Sequence, residues 1–203
     1  MFTGIIRATG RVSAANTTPD GRLRLLIDPL GWAHRPAAGD SIAVDGCCLT
    51  IVSDPPPQGP WAFDVVPESL AKTTLGRLAV GSTVHLEHAA SASTLLDGHV
   101  VQGHVEGVGE VRAVRTEGEW RVTIGAPREL MPCITPKGSI AVEGVSLTIA
   151  AADVSAGTFD VALIPTTLEV TTLGGLRPGS RVNLETDILA RTIVHYLRNF
   201  TGR

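Results

Sequence analysis

The sequence predicts an all-β protein: two small barrels in tandem, related by internal duplication, with one α-helix after the second. Three observations lead there. The stretch "GDSIAVDGCCLTI" (39–51) returns as "KGSIAVEGVSLTI" (137–149), identical at eight of thirteen positions at an offset of 98. Short apolar or alternating runs are separated by turn signals roughly every 8–12 residues, the spacing of small barrels and sandwiches. Only near the C-terminal end does the apolar period change from that of a strand to that of a helix.

The duplication runs along the whole chain. "VVPESLAKTTLG" (65–76) matches "LIPTTLEVTTLG" (163–174), and "GSTVHLE" (81–87) matches "GSRVNLE" (179–185), both again at 98. "FTGIIRATGRV" (2–12) matches "VQGHVEGVGEV" (101–111) at 99, so one residue slips in the hairpin that follows. Fixed-offset repetition of this extent marks two copies of one unit. The units are 1–97 and 98–186, joined near Leu96–Gly98 without a long linker, and 187–203 form the helical segment.

Each element has a local reason. "PDG" (19–21) and "TEG" (116–118) sit where the first hairpin of each unit turns. "SDPPPQGP" (53–60) is a loop, because proline cannot donate to a ladder. The repeated "TTLG" predicts a short helical turn and loop leading into a last strand. About six strands per unit follow, and closure into a barrel hides edges that so small a sheet would expose. Thr186 is placed to cap a helix over "DILARTIVHYLRNF", with Asp187 favourable in its first turn. Leu189, Ile193, Tyr196, Leu197 and Phe200 share one face of it. That face either docks on its own barrel or serves self-association; the first unit has no such stripe after Glu87.

Composition narrows the class. Hydrophobic residues are 43% and charged residues 18%, enough for a real core, while aromatics at 4% leave that core to Val, Leu, Ile and Ala. A net charge of −3 without a Lys/Arg run argues against nucleic acid. No apolar run is long enough to span a bilayer, and "MFTGIIRATG" lacks the features of a secretion signal. Three cysteines, two of them adjacent, make a poor disulfide framework and suit a reducing compartment. The expectation is a soluble cytoplasmic protein.

Candidate sites come from comparing the copies. Cys47 and Cys48 point to opposite faces of a strand, and His99 and His104 are split likewise, so no metal site is expected. Cys48 has Ser146 as counterpart, and alternation puts Thr50 or Thr148 on the same face, two short polar groups that fit a pocket wall or satisfied strand hydroxyls equally. His104 stands opposite Ile5, Lys137 opposite Gly39, and Asp187 opposite Ala89. The second copy thus carries an imidazole, an ammonium and a carboxylate that the first lacks.

On "MFTGII", "GDSIAVDGCCLT", "GHVVQGHVEG", "KGSIAVEGVSLT", "LIPTTLEVTTLG" and "RVNLETDILAR", in this order over nearly the whole chain, the sequence resembles the riboflavin synthase family. The resemblance implies two tandem six-stranded Greek-key β-barrels that bind lumazine. It implies dismutation of two 6,7-dimethyl-8-ribityllumazine molecules into riboflavin and 5-amino-6-(D-ribitylamino)uracil, a transferase reaction without metal or cofactor. It further implies a homotrimer with the working site between subunits, and lumazine synthase as a candidate partner. Asp97-Gly98-His99 departs from the family's Gly-Gly-His, Glu106 from its aspartate, and Ser69 from its threonine.

By motif, the pocket of the first barrel takes Gly4, Ile5 and Ile6, with Cys48, Leu49 and Thr50. Asp64, Val65, Val66, Pro67, Glu68 and Ser69 complete it. The pocket of the second takes Gly103, His104 and Val105, Lys137, and Ser146, Leu147 and Thr148. Ile164, Pro165, Thr166, Thr167, Leu168 and Glu169 close that one. His104 is expected as proton shuttle or base, Cys48 and Ser146 as polar or nucleophilic assistants, with Ser41 and Asp187 as further catalytic candidates. The alternative is a non-catalytic lumazine- or flavin-binding protein of the same fold.

Overall fold

Buried and more exposed side chains alternate along Leu23–Asp28, Cys47–Thr50, Trp61–Val65, Arg121–Gly125 and Thr158–Ala162. Ser41–Val44, Thr83–His88, Ser139–Val142 and Arg181–Thr186 are instead buried in continuous runs. The inward residues fill two separate cores. In the computed structural model, which describes residues 1–201, the first unit contains β1 (Ala8–Thr17), β2 (Leu23–Asp28), β3 (Ser41–Val44), β4 (Cys47–Thr50), β5 (Trp61–Val65) and β6 (Thr83–His88). They form one antiparallel sheet in the order β4-β3-β6-β1-β2-β5. A bridge from Ile51 to Phe63 brings its two edges together. The second unit contains β7 (Gly107–Arg115), β8 (Arg121–Gly125), β9 (Ser139–Val142), β10 (Val145–Asp153), β11 (Thr158–Ala162) and β12 (Arg181–Thr186). It repeats the first strand for strand and closes fully, in the order β10-β11-β8-β7-β12-β9.

The difference in closure has a cause in the sequence. β4 stops at Thr50, five residues before the first proline of the run, whereas β10 meets no proline, continues to Asp153 and pairs along β11. Valine, leucine and isoleucine dominate both cores, around fully buried Phe63 and Phe159. The repeated TTLG segments carry the expected turn as a 3-10 helix, Leu75–Arg77 and Thr172–Gly175, and a short α-helix precedes each, α1 (Pro67–Lys72) and α2 (Pro165–Val170). Each helix begins on a proline whose missing N–H would have had no helical partner.

The last helix, α3 (Ile188–Phe200), corrects one expectation. Its cap is Asp187, whose carboxylate accepts the Leu189 amide at 2.8 Å. Thr186 is instead the buried end of β12, paired with Ile140, and both its amide and hydroxyl donate to Glu106. The ladder extends one residue further than the helical pattern suggested. The apolar stripe of α3 does not dock on its own barrel: Leu189, Ile193, Tyr196, Leu197 and Phe200 are 52–68% exposed. Among the described residues, no helix is long and apolar enough to cross a membrane.

The barrels are clasped by a pseudo-symmetric exchange. His85 on β6 and Asn183 on β12 occupy equivalent positions, and each reaches into the other barrel. His85 Nε2 accepts the Thr172 amide at 2.8 Å, so Nδ1 carries the hydrogen and donates to the Glu143 carbonyl at 2.9 Å. Asn183 Oδ1 accepts the Thr74 amide at 2.7 Å, while Nδ2 donates to the Asp45 carbonyl at 2.9 Å. Between them the turns Asp45-Gly46 and Glu143-Gly144, all at positive φ, meet backbone to backbone; a Cβ on Gly46 would lie 2.6 Å from the Gly144 nitrogen.

Asp45 is sealed in this seam, 4% exposed, with one oxygen accepting the His85 amide at 2.7 Å. Burial pushes its carboxyl up to about 7. The folded protein therefore holds a proton that the unfolded chain has already released, and the associated stability is present below the unfolded value near 4 and lost as pH rises through about 7. Asp45→Asn keeps the acceptor and tolerates the turn's positive φ. Urea unfolding at about pH 5 and about pH 8 should show a smaller loss on raising the pH in the variant than in the parent, by about 1.4 kcal/mol for each pH unit by which the folded pKa lies above the lower pH. Equal losses would mean that Asp45 does not titrate in the seam.

Candidate functional site

Two buried carboxylates build the site. Glu87 at the end of β6 accepts the Thr3 amide at 2.7 Å, the Thr3 hydroxyl at 2.8 Å and the Gly4 amide at 3.0 Å. Glu185 near the end of β12 accepts the amides of Gln102, Gly103 and His104 at 2.7, 2.9 and 2.9 Å. Burial raises both carboxyls while these donors pull them down. Each carboxylate thereby pins a segment that belongs to no strand. The two segments also pair directly, through the Phe2 amide to the Val101 carbonyl at 2.7 Å and the reverse bond at 3.1 Å.

The pinned segments cross over. The Gly4 carbonyl accepts the Ser146 amide at 2.7 Å, and the Gly103 carbonyl accepts the Cys48 amide at 2.8 Å. Each segment thus lies against the strand of the other barrel. Ile6 packs on the core of the second barrel and Val105 on that of the first. Gly4 and Gly103 have φ of 74° and 78°, and a Cβ would come within 2.7 Å of Ser146 Cβ and 2.6 Å of Cys48 Cβ respectively, so no other residue fits without displacement.

The grouping of candidate residues by sequence copy is therefore corrected. Gly4, Ile5 and Ile6 join Ser146, Leu147 and Thr148, whereas Gly103, His104 and Val105 join Cys48, Leu49 and Thr50. Covalent order suggested that a segment lines its own barrel; the short strap from Glu87 to Val101 lets the two exchange. His104 and Lys137, expected together, are divided. The imidazole belongs with Cys48, and the ammonium lies at the end of β9 whose Ser139 pairs with Thr148.

Within each hollow the strands sort the candidates. Cys47 and Leu49 face the core, Cys48 is half-buried and Thr50 exposed, with Ser41 paired to Thr50 across the ladder. Leu147, Ser146 and Thr148 repeat this arrangement. Val65, Leu49 and Leu147 are buried core residues, so they offer a ligand only backbone. Val66, Pro67 and Glu68 are exposed at the start of α1 with Ser69 half-buried; Ile164, Pro165, Thr166 and Glu169 are exposed on α2, with Thr167 and Leu168 half-buried. Asp64 is held on the barrel wall by Arg24 and Arg22, whose guanidinium groups keep its carboxyl below the usual range. Burial pushes the Cys47 thiol up to about 12, an inert core group as its position suggested. Asp187 has one oxygen engaged as the cap of α3.

Both hollows are open faces: Thr50, Thr148, His104 and Lys137 are all exposed. Residues that sequence reasoning missed are Glu87, Glu185 and His99, whose Nδ1 lies 2.7 Å from Ser146 Oγ. The two glutamates did leave a signal, since both copies keep them at the end of the repeated "GS(T/R)V(H/N)LE". Among the described residues no group of three His, Cys, Asp or Glu is arranged to hold a metal ion.

Duplicated barrels with crossed segments define a tandem small-ligand-binding protein of the lumazine-binding type. The lumazine binding domain family matches residues 3–89 and again 102–187, and this chain belongs to that family. Among named relatives, riboflavin synthase of Mycobacterium tuberculosis is 41% identical over 201 residues, covering 98% of this chain and 99% of that one. Riboflavin synthase of Photobacterium phosphoreum is 38% identical, covering 97% and 89%. Among solved structures, LumP complexed with riboflavin superposes with a TM-score of 0.80 at 30% identity, covering 92% of this chain and 99% of that chain. LumP complexed with 6,7-dimethyl-8-(1'-D-ribityl) lumazine gives 0.76 at 27%, with the same coverage.

One site residue is held against the backbone's preference. Lys137 adopts φ of 68° where the first copy has Gly39 at 92°. A side chain there costs about 1–2 kcal/mol, partly offset by the freedom glycine has when unfolded. Lys137→Gly should leave stability within about 1 kcal/mol of the parent, on the stabilising side, by urea titration. Clear destabilisation would show that the ammonium supports the fold rather than the open face.

Proposed function

We propose that the chain is a riboflavin synthase, a transferase that dismutates two 6,7-dimethyl-8-ribityllumazine molecules into riboflavin and 5-amino-6-(D-ribitylamino)uracil. The observation that carries this reading is a pair of alike hollows that differ in their polar groups. Two identical substrates need two similar pockets, yet one gives a four-carbon unit and the other receives it, so the pockets must treat them unequally. The first hollow offers Cys48 and His104, the second Ser146 and Lys137.

Open faces suit a reaction between two bound molecules. A first-copy face of one subunit opposed to a second-copy face of a neighbour would enclose both substrates, and the uncovered stripe of α3 is the surface proposed to assemble a homotrimer. Holding two reactants in register replaces several kcal/mol of association entropy. His104 is proposed to accept the proton leaving a C7 methyl, and a hydroxyl or thiol from Ser146, Ser41 or Cys48 to assist addition at C7 of the partner. Lys137 is suited to contact a ring oxygen. Three free cysteines accord with a reducing, cytoplasmic setting, and lumazine synthase would be the partner that supplies substrate.

Anaerobic incubation with 6,7-dimethyl-8-ribityllumazine alone should yield riboflavin and the pyrimidinedione in equal amounts. Tight binding without product would identify a non-catalytic carrier of the same fold. His104→Gln should lower kcat by roughly a hundred-fold while substrate still binds; an unchanged kcat would remove the imidazole from the proton transfer.

A further inference from the structure

Ser146 has a neighbour that Cys48 lacks. His99 comes from the strap between the barrels, is 7% exposed, and places Nδ1 2.7 Å from Ser146 Oγ. Its amide donates to the Thr3 carbonyl at 3.2 Å, fixing the backbone beside the crossed segment. Nε2 is buried without a hydrogen-bond partner among the described residues. No hydrogen bond joins Cys48 to an imidazole among the described residues, so the two hollows differ by more than a sulfur-for-oxygen exchange.

The contact admits two tautomers with different consequences. With the hydrogen on Nε2, a buried N–H would have no acceptor, and Nδ1 would consume the single hydroxyl hydrogen of Ser146. With the hydrogen on Nδ1, that N–H donates to Oγ, and the buried orphan is a lone pair rather than an N–H. The hydroxyl hydrogen then stays free to point across the open face. Burial lowers the imidazole's pKa, against an opposing pull from the Asp187 carboxylate, so the ring is neutral near pH 7.

We infer that His99 is a positioning residue: its Nδ1–H holds the Ser146 oxygen and turns that hydroxyl into a hydrogen-bond donor for a carbonyl oxygen of the bound heterocycle. The second hollow then offers two donors, the Ser146 hydroxyl and the Lys137 ammonium, where the first offers a thiol. This preference for an oxygen-rich heterocycle edge deepens the proposed function and rests on it for the ligand's identity.

The test has two arms on the full chain. Nitrogen-15 NMR of the ligand-free protein at about pH 8, where the neutral ring dominates, should show His99 as the Nδ1–H tautomer. Riboflavin titration then compares His99→Asn, whose amide nitrogen takes the place of Nδ1, with His99→Gln, whose amide lies nearer to Nε2. The Asn variant should bind within about two-fold of the parent, and the Gln variant about five-fold more weakly, the size of one lost hydrogen bond. An Nε2–H tautomer, or equal affinities for the two variants, would overturn the assignment. Failure of the parent to bind riboflavin would count against the functional reading instead, since the tautomer is read without ligand.

Discussion

The crossing of two short segments is the constraint on which the rest depends. Buried Glu87 and Glu185 each gather amides that no strand partners, and so hold residues 3–4 and 102–104 where the opposite barrel can use them. A buried carboxylate is costly without donors, and a buried irregular backbone is costly without acceptors; each need is met by the other. Because the carbonyls of Gly4 and Gly103 then complete the strands carrying Ser146 and Cys48, neither hollow can form from one barrel alone. The seam at the far side, through His85 and Asn183, repeats the same logic of mutual completion.

Duplication supplies the likeness of the hollows, and small breaks in its symmetry supply the difference. Asn183 replaces His85 with the same two bonds and leaves the clasp intact. At the open faces the replacements are not equivalent. Lys137 occupies a left-handed position that the first copy gives to glycine, a cost carried by an exposed side chain rather than by one packed in the core. His99 meets Ser146, while among the described residues no imidazole bonds Cys48. The asymmetry thus sits in polar groups of the two open faces, while the groups of the clasp remain paired.

Much of this was legible in the chain. The offset of 98 fixed the duplication, the strand count and the pairing of Cys48 with Ser146, because β-alternation preserves face as well as order. The proline run announced its loop, but not that the loop would leave β4 and β5 joined by a single bridge. What could not be read was exchange between copies: local pattern says which face a residue takes, but not which of two like barrels receives a segment that belongs to no strand. The helix cap was misplaced by one residue for a similar reason. Thr186 is a good cap by type, yet Glu106 and the ladder with Ile140 claim it first. His99 was weighed only as a metal ligand, since its partner lies 47 residues away in sequence.

The crossed arrangement can be tested through the one cysteine that is not buried in a core. Cys47 and Cys133 are buried and Cys48 is half-exposed, so the rate of labelling by a thiol reagent reports on the first hollow. Glu185→Gln should release the segment over Cys48 and change that rate several-fold, while Glu87→Gln should leave it near the parent value. The reverse order would place each segment on its own barrel and contradict the crossing.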